Sequence, residues 1–342
     1  MPKATVKITI GVIATRLKLS KATISKALSP HTDRSDISAD TSARVRAAAA
    51  RMGWRPDEQR AARARRRIGN IGLVCQRTSP FTGGVYGNFL DGLGTALATH
   101  GRRLLFVPTL DVNDWSRLLT DQRIDGAILM EPIGEPLMRL IADTRFPAVL
   151  INQTTTLNLP QVLCDDAYGI GLAVNRLTQA GHRRLAFVHS PYRAEHYSVT
   201  ARIAGFHAAC ARLDLRGEDC ADEAAKFLDT WLKETPATRA TAVIGYNFAD
   251  TLDLIVAALS AGIAIPDALS VISGDDLEVL SLLRPPVTAV RVPMIDMARQ
   301  AVALLIELIE GNRRQSNGVN SVPPILIERG TVATPWERPQ QR

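Results

Sequence analysis

Two sets of side chains in this sequence have types and spacings suited to chemistry. The first lies in Leu19-Ser20-Lys21-Ala22-Thr23-Ile24-Ser25-Lys26-Ala27-Leu28. Ile24, Ala27 and Leu28 recur at helical spacing and form a face to be buried, which leaves Lys21, Ala22, Ser25 and Lys26 pointing outward. Ser20 stands where a helix cap would, its hydroxyl placed to accept from the backbone N–H near Thr23. Ammonium groups and small hydroxyls on one exposed helix face suit phosphate oxygens and base edges in a major groove. The second set is two carboxylate pairs, Asp165-Asp166 and Asp275-Asp276, each following a short apolar run. Such pairs can hold metals or do acid–base work, but adjacent residues on a strand face opposite ways, so the pairs are poorly placed to act jointly. The ends of strands are, however, where open α/β sheets bind ligands.

A catalytic reading finds little else. Gly69-Asn70-Ile71-Gly72 lacks the third glycine of a dinucleotide loop and precedes a strand instead of following one. Phosphate-loop, nucleophile-elbow and H-E-x-x-H patterns are absent. His189-Ser190 and His196 with Ser198 are close pairs of the kind that chance supplies among six histidines. Cys75, Cys164, Cys210 and Cys220 are scattered without a C-x-x-C pair, which reads as buried thiols in a reducing compartment. No catalytic residue, metal site or cofactor is expected.

The elements needed to position these groups follow from periodicity and charge. Ile10, Ile13, Ala14 and Leu17 make an apolar stripe before Lys18-Leu19, with Thr9 as a cap, so two short helices form a helix-turn-helix. A third helix is capped by Ser38, carries Val45, Ala48, Ala49 and Met52 on one face, and is stopped by Gly53, with Trp54 beneath it. Residues 1–70 hold 16 Lys/Arg against 5 Asp/Glu, while the rest hold 25 against 29, so the chain's net +7 belongs to its first part. That asymmetry is an electrostatic footprint for a polyanion. A membrane-binding segment would need a Trp/Phe/Leu face that this part lacks. No stretch approaches the roughly 20 apolar residues of a membrane span, and no signal-peptide pattern is seen, so a cytoplasmic protein is expected.

From Ile68 short apolar runs alternate with amphipathic segments. Strands are expected at Ile68–Val74, Leu104–Val107, Gly126–Met130, Ala148–Ile151, Leu185–His189, Ala242–Tyr246 and Ser270–Ile272. Helices are expected near Tyr86–His100, Asp114–Gln122, Glu135–Asp143, Asp166–Ala180, Ser198–Arg212, Asp222–Lys233 and Phe248–Ala261. This rhythm predicts α/β architecture with two doubly wound parallel-sheet lobes behind a small all-α head.

The wording of Thr9-Ile10 through Leu28 resembles the helix-turn-helix head of the LacI/GalR family of bacterial transcription regulators, whose usual form is T-I-x-D-V-A-x-x-A-G-V-S-x-x-T-V-S-R-V-L-N. The chain departs from it at Val12, Lys18, Lys26 and Ser29, where the family has Asp, Gly, Arg and Asn. Lys18 in the left-handed turn position would cost about 1 kcal/mol relative to Gly. Lys26 is a point charge and not a fork, so guanine reading through it is geometrically less exacting. The resemblance continues through the third helix, although the loop Pro30–Asp36 is about three residues longer than the family's wording. In Arg60-Ala61-Ala62-Arg63-Ala64-Arg65-Arg66-Arg67 the family has a hinge helix that folds on the operator, and Arg60 and Arg63 stand where it places an alanine and a leucine wedge. Two readings stay open: a charge-based grip on backbone and minor groove, or a polybasic tether.

The remainder resembles the family's effector domain, which has the periplasmic-binding-protein-like fold. The phrases are Gly69–Val74, Val162–Gly169, Gly181–Val188, Arg202–Phe206, Ser270–Asp276 and Pro286–Val290. The resemblance implies a head at 1–57, a basic hinge at 58–67 and a two-lobed effector-binding and dimerisation domain at 68–342. It puts the N-lobe at about 68–163 and 291–322 and the C-lobe at about 164–290 and 323–342, with the last strands near Thr288–Val292 and Ile325–Arg329 returning to the lobes. It implies DNA contacts from Ser20, Lys21, Ala22, Thr23, Ser25, Lys26, Arg60 and Arg63. By position it implies ligand contacts from Tyr86, Asn152, His196, Ser198, Arg202, Asn247 and Asp275, with Arg202 as the anchor. For three of these another role stays open: Arg202 pairing with a carboxylate, Asp275 capping a helix, Tyr86 belonging to the core. The function implied is a homodimeric repressor that binds a near-palindromic double-stranded DNA operator under control of a sugar or sugar derivative, with no membrane partner. The competing class is a solute-binding protein of the same fold serving a transporter. A third is an α/β enzyme with a nucleic-acid-binding head.

Overall fold

The structure, a computed structural model, describes residues 10–28, 37–52, 68–75, 86–108, 123–130, 133–191 and 196–335, and of Ile10, Ala22, Ser25 and Ala39 the backbone alone. Thr9, the loop 30–36, Gly53, Trp54, the arginine segment with Arg60 and Arg63, and the expected helix Asp114–Gln122 lie outside the described residues. The chain divides into two units, 1–67 and 68–342.

In the first unit, α1 (Ile10–Leu17), α2 (Lys21–Leu28) and α3 (Ala39–Arg51) are too short to persist alone and are held by a shared core. Ile13, Ala14, Ile24, Ala27, Val45 and Ala49 are its buried members, and Leu17, Leu19, Leu28, Ile37 and Met52 close its rim. Lys18 makes the turn between α1 and α2 at φ +51°, the left-handed region that disfavours a residue with a Cβ. Ser38 caps α3 by accepting from the Thr41 N–H at 3.3 Å. Arg46 reaches from α3 to the Ala27 carbonyl at 3.1 Å, placing a cation on a carbonyl at the C-terminal end of α2.

The second unit contains two six-stranded sheets. In the first, strands β1 (Asn70–Cys75), β2 (Arg103–Pro108), β3 (Gly126–Met130), β4 (Ala148–Ile151), β5 (Gln161–Cys164) and β11 (Val319–Val322) run parallel in the order β11-β5-β4-β3-β1-β2. The entry to β1 is pinned by Asp125, whose carboxylate accepts from the Ile68 and Gly69 N–H groups at 2.5 and 2.7 Å and pairs with Arg102 at 2.6 Å. The second sheet holds β6 (Arg184–Val188), β7 (Arg216–Cys220), β8 (Ala242–Gly245), β9 (Ser270–Ser273), β10 (Thr288–Arg291) and β12 (Ile325–Ile327), in the order β12-β10-β9-β8-β6-β7. Only β12 in this sheet is antiparallel to its neighbour.

Each sheet is covered on both faces. On the first, α4 (Tyr86–Thr99) and α11 (Met294–Glu310) pack on one side and α5 (Glu135–Thr144) on the other. A Cβ at Gly92 of α4 would stand 2.9 Å from the Ala298 side chain of α11, so the absence of one lets these helices touch. On the second sheet, α6 (Asp166–Gln179) and α7 (Tyr197–Arg212) cover one face, and α8 (Ala224–Lys233) and α9 (Phe248–Ser260) the other, while a short α10 (Glu278–Leu282) precedes β10. The chain passes between sheets after Cys164, Arg291 and Val322, so each lobe is assembled from separate stretches.

The expected strands and helices that fall on described residues agree with these to within about two residues. The sequence reading omits β5, β7, β11, α10 and the long α11. β7 is Arg-Gly-Glu-Asp-Cys and β11 is Val-Asn-Ser-Val, edge strands that bury little and carry no apolar alternation. Helix α11 is different: its apolar positions recur at helical spacing and were there to be read.

Candidate functional site

On the head, α2 buries Ile24 and Ala27 and leaves Lys21 and Lys26 exposed. Ser20 accepts from the Thr23 N–H at 3.0 Å, and the two hydroxyls lie 2.8 Å apart. If the Thr23 proton is given to Ser20, the Ser20 proton is left for an acceptor outside the chain.

In the body, the second sheet has its topological switch point between β6 and β8, because β7 lies to one side of β6 while β8 lies to the other. Ligands bind outside the carboxyl ends of strands at such points. Here those ends carry His189 and Tyr246-Asn247. The N-terminus of α7 stands over them, and its residues do most of the work.

Arg202, on α7, is 7% exposed. Its Nε donates to Asp166 Oδ1 at 2.7 Å, its Nη1 donates to the Tyr246 carbonyl at 2.5 Å, and its guanidinium lies over the Tyr246 ring, 4.9 Å from the centroid. Burial works to lower the pKa of Arg202, but the acidic groups around it, the Asp166 carboxylate first among them and Asp275 also, outweigh that and raise it, so the guanidinium stays charged. The other oxygen of the pair, Asp166 Oδ2, is buried and hydrogen-bonded to nothing among the described residues. Leaving a buried acceptor unsatisfied costs about 1–3 kcal/mol, more when it is charged. Asp166 and Arg202 line a slot at the chain crossings, with Cys164, Gly274, Val290 and Pro324 among its other walls, and the slot has no room for a water molecule. Burial pushes the Cys164 thiol up, keeping it protonated, so it adds no charge there. Gly274 is obligatory in this wall: a Cβ would stand 2.2 Å from the Tyr246 carbonyl oxygen.

Above the slot a hydrogen-bonded chain joins the lobes. His196 Nε2 lies 3.1 Å from the Asn152 carbonyl, which can only accept, so the ring proton belongs on Nε2. Nδ1 then accepts from the Ser198 N–H at 3.2 Å, capping α7, and from the Ser198 hydroxyl at 2.6 Å. The Ser198 oxygen in turn accepts from the Tyr246 hydroxyl at 2.6 Å. Tyr197 adds a second link, donating to Asn152 Oδ1 at 3.1 Å. Asn152, at the end of β4, is held at φ +56°.

The other sequence-derived positions sit as follows. Asn247 caps α9 by accepting from the Asp250 N–H at 2.9 Å; its amide nitrogen donates to nothing among the described residues. Asp275 accepts from the Phe248 N–H and acts electrostatically on Arg202, so it serves both the helix start and the cleft charge. Asp276, beside it, is clamped by Arg291 at 2.7 and 3.0 Å and by Arg329 at 2.8 and 3.0 Å, a structural arrangement that leaves it no ligand role. Asp165 caps α6 through the Tyr168 N–H at 3.1 Å. Tyr86 opens α4, half-buried against the first sheet's core. The structure thus brings Asn152, His196, Ser198 and Arg202 into one network and joins Asn247 with Asp275 at the foot of α9.

Sequence reasoning missed Tyr197, Tyr246 and His189 as members of this region; it put Asp166 at a ligand-binding strand end but did not name it as the partner of Arg202. His189 is 5% exposed and its Nδ1 has no hydrogen-bond partner among the described residues. The signal that could have found them is position: each follows directly on a strand or opens a helix at the carboxyl ends of the sheets. Among the described residues there is no group of His, Cys, Asp and Glu suited to a metal ion, and no helix is long and apolar enough to cross a membrane.

Comparison with known proteins places this geometry. Residues 174–332 match the family model of the periplasmic binding protein-like domain. The chain is 26% identical to the HTH-type transcriptional repressor CytR of Escherichia coli (strain K12) over 345 aligned residues, covering 96% of this chain and 97% of that protein. Among solved structures it is similar to the lac repressor dimer bound to operator and the anti-inducer ONPF, with TM-score 0.71 and 20% identity over 95% of this chain and 99% of that one. It is also similar to the regulator CelR in complex with cellobiose, with TM-score 0.67 and 20% identity over 95% and 99% of the two chains.

Proposed function

We propose that this chain, a LacI/GalR-type regulator by fold and by likeness along nearly its whole length, is a repressor whose grip on DNA is set by a small molecule bound between its lobes. The observation that carries the reading is the union, in one chain, of a cationic helix-turn-helix and a two-lobed body with a polar, partly unsatisfied cleft, aligned end to end with a known repressor. It acts in the cytoplasm as a homodimer, and it binds a near-palindromic operator because two-fold protein symmetry is mirrored in the DNA. It is a regulator and not an enzyme.

Lys21, Ala22 and Lys26 face the bases, while Ser20, Thr23 and Ser25 hold phosphates. The segment 58–67 follows, with Arg60 and Arg63 gripping backbone and minor groove by charge. In the cleft, Arg202, Asn247 and Asp275 supply donors and acceptors to a hydroxyl-rich ligand, a sugar or sugar derivative, and Tyr86 is the aromatic that stacks on it. Asn152, His196 and Ser198 take part from the seam between the lobes. Ligand replaces or tightens the Asn152 link and so changes how the lobes close. A coupling of about 1–3 kcal/mol shifts operator occupancy roughly 5- to 150-fold.

The test is selection of bound fragments from sheared genomic DNA by the full-length protein, followed by release with compounds found in a thermal-shift screen of sugars, polyols and nucleosides. The reading expects a single near-palindromic motif and at least one stabilising compound that alters its retention. Enrichment without a shared motif would refute it.

A further inference from the structure

We infer that Asp125 is a positioning residue for DNA binding: with Arg102 it holds the two peptide groups at which the polybasic segment joins the body, so that the two heads of the dimer engage two half-sites as one unit. The inference rests on the regulator reading above and goes beyond it to the residue that fixes the root of the linker.

The segment 58–67 ends at Arg67, so Ile68 and Gly69 are the first two residues of the body. Backbone N–H groups ahead of a strand have no ladder partner, and water ordinarily serves them. Here a carboxylate that is only 3% exposed accepts from both, at 2.5 Å from Ile68 and 2.7 Å from Gly69, with Arg102 Nη1 at 2.6 Å as its counter-charge. Hydrogen bonds to an ionised acceptor are roughly twice as strong as neutral ones. Around them the Gly69 carbonyl accepts from the Arg103 N–H at 2.8 Å and the Asn70 carbonyl from the Asp125 N–H at 2.8 Å. The Asn70 side-chain amide donates to the Arg123 carbonyl at 3.2 Å. Residues 68–70 are thus tied both to the turn after α4 and to the stretch before β3. The anchor is built into the lobe and not onto its surface. Arg102 follows α4, and α4 lies on α11 so closely that a Cβ at Gly92 would stand 3.0 Å from the Ile295 backbone. Helix α11 begins at Met294, just after the chain crosses between the sheets at Arg291. A displacement of the first lobe therefore carries the root of the linker with it.

The experiment uses the full-length protein and a DNA fragment enriched in the genomic selection, once intact and once with one half-site scrambled. Two linked heads gain about 10²–10⁴ in affinity from the second half-site, and the gain is lost when their geometry is not held. The wild type is expected to prefer the intact fragment accordingly. In Asp125→Asn an NH₂ group replaces one accepting oxygen, and the preference is expected to fall about tenfold or more while affinity for the half-scrambled fragment stays unchanged. A ratio of two affinities on one preparation does not respond to a smaller folded fraction. Amide exchange is expected to quicken at residues 68–70 and not at 126–130. Arg102→Gln, which removes the counter-charge, is the second variant should the first fail to fold, with the same expectations. An unchanged preference overturns the inference, as does a fall in preference without quickened exchange at 68–70 or with loss of the dimer. A wild type that binds the intact fragment and a fully scrambled one alike refutes the regulator reading, a result separate from any effect of Asp125.

Discussion

Asp165, Asp166, Asp275 and Asp276 make two adjacent pairs in the sequence, yet the four carboxylates do four different things: one caps a helix, one neutralises Arg202, one meets the Phe248 amide, and one is gripped by two arginines. The buried ion pair sets the most direct prediction at this scale. Arg202→Ala leaves the Asp166 carboxylate buried without its cation and should cost about 3–5 kcal/mol in chemical denaturation of the body, whereas Asp166→Leu/Arg202→Met should recover most of that loss. Equal destabilisation of the single and double variants would contradict the pairing. His182 gives a pH prediction. Its Nδ1 lies 2.9 Å from the Thr241 hydroxyl and its Nε2 2.9 Å from the Ala333 carbonyl, and burial lowers its pKa below the ordinary 6.5. Below pH 6.5 the unfolded chain takes up a proton that the folded chain refuses, so stability from this site is full above 6.5 and falls on acidification, with a slope of at most about 1.4 kcal/mol per pH unit. The stability difference between wild type and His182→Gln should therefore shrink from pH 7 to pH 5. A difference independent of pH would show that His182 is not held neutral.

At the scale of elements, the turn between α1 and α2 is the clearest local cost. Lys18 sits at φ +51°, as its place in the helix-turn-helix wording predicts. Lys18→Gly should relieve up to about 1 kcal/mol and slow hydrogen exchange across residues 10–28 of the full-length protein; faster exchange would mean the lysine side chain makes a compensating contact. The elements that were legible in the sequence are those whose burial writes a pattern: β3 and β4 are buried at every position, and α2 shows its buried face at Ile24 and Ala27. The elements that were not legible are edge strands such as β7, whose polar residues are set by pairing and not by a core. The same division runs through the cleft. Arg202 and Asn247 stand out by type and place, but the roles of Asp166 and Tyr246 depend on which strand ends the topology brings together, and no spacing within the sequence records that.

At the scale of the whole molecule, charge is partitioned: residues 1–70 carry an excess of 11 positive charges and the rest an excess of 4 negative ones. Binding to DNA should therefore be steeply salt-dependent, while ligand affinity in a cleft with its own internal ion pair should respond little to salt. Asn152 of the first lobe is hydrogen-bonded to His196 and Tyr197 of the second, a link that a ligand between the lobes would reinforce or displace. The central claim, that the head reads sequence and the body decides when, is tested most directly by the affinity of the purified full-length protein for a selected promoter fragment and for its scrambled counterpart at physiological ionic strength. The account predicts a preference of at least about 1,000-fold for the genuine fragment, altered by a compound that stabilises the body. Equal affinity for the two fragments would contradict it.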